Sequence, residues 1–108
     1  MKRFNLNKVR EFVNCKVRVA SETKERLQYF FTFENNKEVD IIRDKWSYGG
    51  EQGLYEMAFW CFEELIVAGY LTERQVLNLL KSVEVNGINY TALNCESIKN
   101  DNNIIYQE

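Results

Sequence analysis

The chain of 108 residues contains no histidine and no proline. Without histidine it lacks the commonest general base, the usual partner of a nucleophilic serine or cysteine, and the commonest imidazole metal ligand. The cysteines are few and far apart: Cys15, Cys61 and Cys95, with no CxxC pair. Neither a structural zinc site nor a disulfide framework is expected from them, and they read as reduced thiols. No apolar run approaches the roughly 20 residues that cross a bilayer. The basic start MKRFNLNK carries no apolar signal core. The expectation is therefore no secretion, no membrane, and a place in the cytoplasm of a host cell.

Other chemistries lack their residues too. GGEQG at 49–53 has no Gly-Lys-Ser/Thr ending and no strand-to-helix setting, so it is not a specific phosphate loop. Glu63 and Glu64 are adjacent and point apart on either a helix or a strand. Asp40, Asp44, Glu51 and Glu56 do not repeat the spacing of a metal loop. No catalytic constellation, metal or cofactor is expected, and the chain reads as non-enzymatic.

What is present is a foldable domain with an uneven charge. Hydrophobic residues make up 45% of the chain and aromatics 14%, which suits a globular domain rather than a disordered one. Residues 1–18 hold Lys2, Arg3, Lys8, Arg10, Lys16 and Arg18 against Glu11 alone, a net charge of +5. With −2 for the whole chain, the rest is net −7. A basic edge suits phosphate, and an acidic body suits a basic protein surface.

The hydrophobic pattern predicts mixed elements. Asn5 or Asn7 caps a short first helix, with Leu6, Val9 and Val13 on one face. In 15–20, Cys15, Val17 and Val19 alternate with Lys16 and Arg18 as in a half-buried strand. In 26–33, Leu27, Tyr29, Phe31 and Phe33 share a face, and 38–44 reads as a third strand beyond an Asn35-Asn36 turn. The segment 53–68 fits either a helix face or a strand face, with helix slightly favoured by periodicity. Gly69 reads as a stop after it. Thr72 and Gln75 form a capping box for a helix over 73–83, with Leu71 and Val76 as its staple. Asn86-Gly87 between apolar residues signals a hairpin. The expected fold is α+β: an antiparallel sheet of about four or five strands, an N-terminal helix, and a helix in the C-terminal half packed on the sheet. Residues 1–98 form the single domain, and 99–108 a polar, frayed tail.

WSYGGEQGLYEMAFW (46–60) places three glycines among two tryptophans and two tyrosines. Tyr55 and Trp60 are expected in the core, and Trp46 and Tyr48 as contact residues beside the glycines. SYGGEQGLYEM (47–57) and GYLTERQV (69–76) together resemble a motif of small proteins from phages and mobile elements of low-GC Gram-positive bacteria, SYGG-x-x-GL-[FYW]-E followed by GYLT-x-x-x-V. The likeness covers about a third of the chain. It implies a strand over 53–60 and a setting, but no activity. The layout is also similar to that of some anti-CRISPR proteins that inhibit Cas9.

From these readings the expected function is a phage-encoded, protein-binding inhibitor of a host defence protein, possible target a CRISPR effector nuclease such as Cas9. Its expected contact residues are Glu34, Glu38, Asp40, Asp44, Trp46, Tyr48 and Glu51, with the carboxylates occupying a basic nucleic-acid groove. The alternative is a nucleic-acid-binding accessory protein using Lys2, Arg3, Lys8, Arg10, Lys16 and Arg18, with Tyr29 and Phe31 as nearby stacking platforms. An exposed sheet edge also offers a route to a homodimer.

Overall fold

A computed structural model describes residues 3–100 and 105–107, the segments 96–100 and 105–107 as backbone. Helix α1, Leu6–Phe12, opens on Asn5, whose side chain accepts a hydrogen bond from the Lys8 amide at 3.2 Å. Five strands follow: β1 Lys16–Glu22, β2 Arg26–Thr32, β3 Glu38–Asp44, β4 Tyr55–Cys61 and β5 Glu64–Leu71. Helices α2, Glu73–Asn86, and α3, Ile88–Asn100, complete the second layer, and β6, Ile105–Gln107, pairs with β5. The sheet is an antiparallel meander in chain order, β1 to β6. Among the described residues, no helix is long and apolar enough to cross a membrane.

Period-2 alternation sends one side of each strand inward. Leu27, Tyr29 and Phe31 of β2, Val39 and Ile41 of β3, Met57 and Phe59 of β4, and Ile66 and Ala68 of β5 are buried. They form one cluster with Phe4, Val9 and Val13 from the N-terminal segment, with Val76, Leu79, Leu80 and Val83 of α2, and with Ile88 and Cys95 of α3. The three helices therefore cover the same sheet face. Arg43 shares this buried side, stacked over the Tyr55 ring at 4.8 Å and donating to the Tyr55 hydroxyl at 3.1 Å and the Gly53 carbonyl at 3.3 Å.

The helix start at Thr72 forms as expected. Its hydroxyl accepts from the Gln75 amide, and the Gln75 side chain accepts from the Thr72 amide. Elsewhere the structure corrects the sequence reading. Asn86-Gly87 is not a hairpin but a helix–helix joint. Gly87 adopts φ 91, open to glycine at little cost, and its N–H donates to the Ser82 and Val83 carbonyls, closing α2. A glycine with positive φ serves a turn or a helix end equally, and the apolar face from Val76 to Val83 decides for the helix.

The ambiguous 53–68 forms a hairpin, β4 and β5 joined by Phe62-Glu63, so the strand expected over 53–60 is present and the helical preference is overruled. Gly69 stops nothing: it lies inside β5, where a Cβ would come within 2.4 Å of the Tyr48 Cβ. Trp60 is not core but 60% exposed. In β1, Val17 is half-buried but Val19 is exposed, because a bulge between Val19 and Ser21 ends the alternation on this edge strand. Of the expected tail, Lys99 and Asn100 close α3 and 105–107 pair with β5, while 101–104 and 108 lie outside the described residues.

Candidate interaction face

With all three helices on one side, the other face of the sheet has no helical cover among the described residues. Strand register orders its side chains into rows. One row runs Arg18, Phe30, Asp40, Ala58, Val67 from β1 to β5, and the next runs Ser21, Gln28, Ile42, Glu56. Lys16, Thr32 and Glu38 make a third. Cations thus lie toward the β1 edge and carboxylates toward β3 and β4. Phe30, Ile42 and Ala58 form a half-buried apolar middle.

The polar groups of this face are mutually tied. Arg18 stacks over Phe30, its guanidinium carbon 4.2 Å from the ring centre. Arg26 bonds Asp44 at 2.5 Å and the Gln28 side-chain oxygen at 2.9 Å. The Gln28 amide in turn donates to Asp40 at 3.1 Å. Burial pushes the Asp40 carboxyl above its ordinary value, with the Gln28 bond and Arg26 opposing. Its Oδ1 is shut from water and takes no hydrogen bond from the described groups.

The seven expected contact residues do not form one patch. Glu34 and Glu38 are exposed near the start of β3. Trp46, Tyr48 and Glu51 lie beyond its far end, and a seven-residue strand spans about 20 Å. Asp40 is half-buried between them. Asp44 is not available as a surface carboxylate. It is buried, paired with Arg26, and its Oδ1 accepts from the Trp46 and Ser47 amides at 2.9 and 2.7 Å.

The motif residues answer to each other across the fold. The Tyr48 carbonyl accepts from the Tyr70 amide at 3.0 Å, and the Tyr48 amide donates to Glu56 at 3.0 Å. Tyr48 packs on Gly69, and a Cβ on Gly50 would stand 1.7 Å from the Asp44 carbonyl oxygen. Close approach thus accounts for these glycines: Gly49 and Gly69 at the β4–β5 bulge, where Tyr70 takes φ 59, and Gly50 at the end of β3. Trp46 is thrown outward, 79% exposed, with the Lys45 ammonium 4.5 Å from its ring centre.

The basic set does not converge either. Lys8 and Arg10 are exposed on α1, in the helical layer, whereas Lys16 and Arg18 lie on the helix-free face of β1. Arg3 stands 4.0 Å from Glu22, and Lys2 is outside the described residues. The stacking platforms expected of Tyr29 and Phe31 are absent, since both rings are fully buried under the helices.

Two residues missed as contacts are Trp60 and Phe62, 60% and 83% exposed at the tip of the β4–β5 hairpin. A signal for Trp60 existed. If Tyr55, Met57, Phe59 and Cys61 share the buried face of a strand, Trp60 must project from the other. The thiols show no sign of a nucleophile's setting. Cys15 is pushed up to about 11 by burial and then by Glu84, Cys61 donates to the Asn89 side-chain oxygen at 3.3 Å, and Cys95 is buried. Comparison with protein-family models, with curated proteins and with solved structures finds no match for this chain.

Proposed function

We propose that the protein is a non-enzymatic inhibitor, encoded by a phage or mobile element, that binds a host defence protein in the manner of an anti-CRISPR acting on Cas9. The observation that carries this reading is the sheet face without helical cover. It joins Glu38 and Asp40 to a half-buried apolar middle, and Trp60 projects beside them. Exposed aromatics next to an apolar patch are the usual anchors of protein interfaces. Carboxylates on such a surface fit a groove built to neutralise phosphate, and their occupancy would exclude nucleic acid sterically.

Retention of a host protein from lysate by the tagged chain, together with loss of cleavage by an isolated Cas9–guide complex in excess inhibitor, is the expected result. Full-rate cleavage with nothing retained would remove the reading. A second reading, nucleic-acid binding, draws on the Arg18–Phe30 stack at the basic edge. It predicts a gel shift with single- or double-stranded DNA that weakens steeply with salt. The inhibitor reading predicts no such shift.

A further inference from the structure

Where β3 begins, the sheet is notched. Pairing of β3 with β4 stops at Val39–Phe59, while pairing of β4 with β5 runs on to Cys61–Glu64. At Trp60 and Cys61 β4 is therefore paired with β5 alone, while Glu38, the first residue of β3, pairs only with Thr32 of β2. The α2–α3 joint adjoins this gap, and the result is a cavity of about 520 Å³ with Glu38, Trp60, Phe62 and Asn89 in its lining.

Three independent features indicate one kind of occupant. The first is Phe62. It occupies a two-residue hairpin turn with φ 57, where glycine would sit without strain, and its ring is in water. Folding alone does not favour a phenylalanine there. The second is backbone: at Trp60 and Cys61 the flank of β4 has no ladder pairing with β3, an opening of the kind an extended segment uses. The third is charge. The exposed Glu38 lines the notch together with Lys37, and the exposed carboxylates of Glu63 and Glu64 follow Phe62 along the chain. Asn89 adds a polar group, for its side-chain oxygen accepts from Cys61, which leaves the amide NH₂ as the donor.

Resting on the inhibitor reading above, we propose that this notch binds a short, extended, basic segment of the protein partner. Its backbone lies against β4 at Trp60 and Cys61, where pairing with β3 has stopped. A lysine or arginine stem lies on Trp60 and Phe62, and its charge faces Glu38.

The test uses the full chain carrying Trp46→Phe, which makes Trp60 the sole tryptophan. The probe is a capped peptide of alternating arginine and threonine, with an alternating glutamate–threonine peptide and oligothymidylate as comparisons. The arginine peptide is expected to shift Trp60 emission saturably to shorter wavelength. Adding Phe62→Gly should weaken that binding by about tenfold or more, without lowering the unfolding midpoint, because glycine suits the turn. An unchanged Trp60 signal, an equal response to the glutamate peptide, or tighter binding of oligothymidylate would overturn the proposal. The two readings fail separately. If the arginine peptide binds as described but no host protein is inhibited, the inhibitor reading falls and the notch stands. If inhibition survives both Trp60→Ala and Phe62→Gly, the notch falls and the inhibitor reading stands.

Discussion

Asp40 sits where a charge is costly. Its cross-strand neighbours are Phe30 and Ala58, and one carboxylate oxygen lacks a hydrogen bond among the described groups. Burial raises its pKa above the ordinary 3.8, so the folded protein holds this proton more tightly than the unfolded chain does. The contribution is therefore a loss of stability that sets in as pH rises from about 3.8 through the folded value and is complete above it. Asp40→Asn should raise the urea midpoint at pH 7 and, if the face binds a basic partner, weaken that binding. A lower midpoint would show that the Gln28 and Arg26 contacts outweigh burial. Gly69 is constrained by space rather than charge. A Cβ there meets the Tyr48 Cβ at 2.4 Å, so Gly69→Ala should cost about 1–3 kcal/mol of unfolding free energy, and Tyr48→Gly, which removes that Cβ, should make the added cost of Gly69→Ala smaller than in the parent chain.

At the scale of elements, what was legible follows from how local each signal is. Strand β2 and the start of α2 were readable because Leu27, Tyr29 and Phe31 alternate without interruption and because Thr72 and Gln75 cap each other within one turn. The β4–β5 turn was not, since Phe62-Glu63 has none of the glycine, asparagine or aspartate that usually marks a hairpin. The site suffered from the same gap: the alternation that sends Trp60 outward was in the sequence, but without the hairpin the helix face competed with it. Asp44 looked like a surface carboxylate because its partner, Arg26, is supplied by a neighbouring strand that spacing along β3 does not reveal. A second inter-element tie, equally invisible in sequence, is Glu84 of α2, which accepts from the Asn14 amide between α1 and β1 and from Lys81 at 2.8 Å. The Lys81 bond, then the Asn14 bond, holds the Glu84 carboxyl below its ordinary 4.5. Its stabilisation is thus present above about 4.5 and is lost as pH falls through the lower folded value. Glu84→Gln should shrink the difference between urea midpoints measured at pH 7 and pH 3, the opposite sign to Asp40.

Across the whole molecule, the charge is arranged as a gradient. Lys16 and Arg18 lie at the β1 edge and Glu38, Asp40 and Glu56 nearer the middle. On the inhibitor reading, a basic partner is steered to the acidic part, and rim charges act mainly on the rate of encounter. Glu38→Lys should slow association with the captured partner several-fold and flatten its dependence on salt, while dissociation changes little. Stopped-flow or surface-binding kinetics at two ionic strengths checks this, and an unchanged association rate would place the contact elsewhere. The clasp between Tyr48 and the Gly69–Tyr70 bulge has a reach beyond its own neighbourhood. Because side chains on a strand alternate sides, β4 has in effect two reading frames, one with Phe59 inward and one with Trp60 inward. The loop from Lys45 to Leu54 holds both β4 and β5 at their far end and so selects the frame. A one-residue deletion in that loop would exchange the two aromatics, turning the wet side of the sheet into the dry one from six residues away.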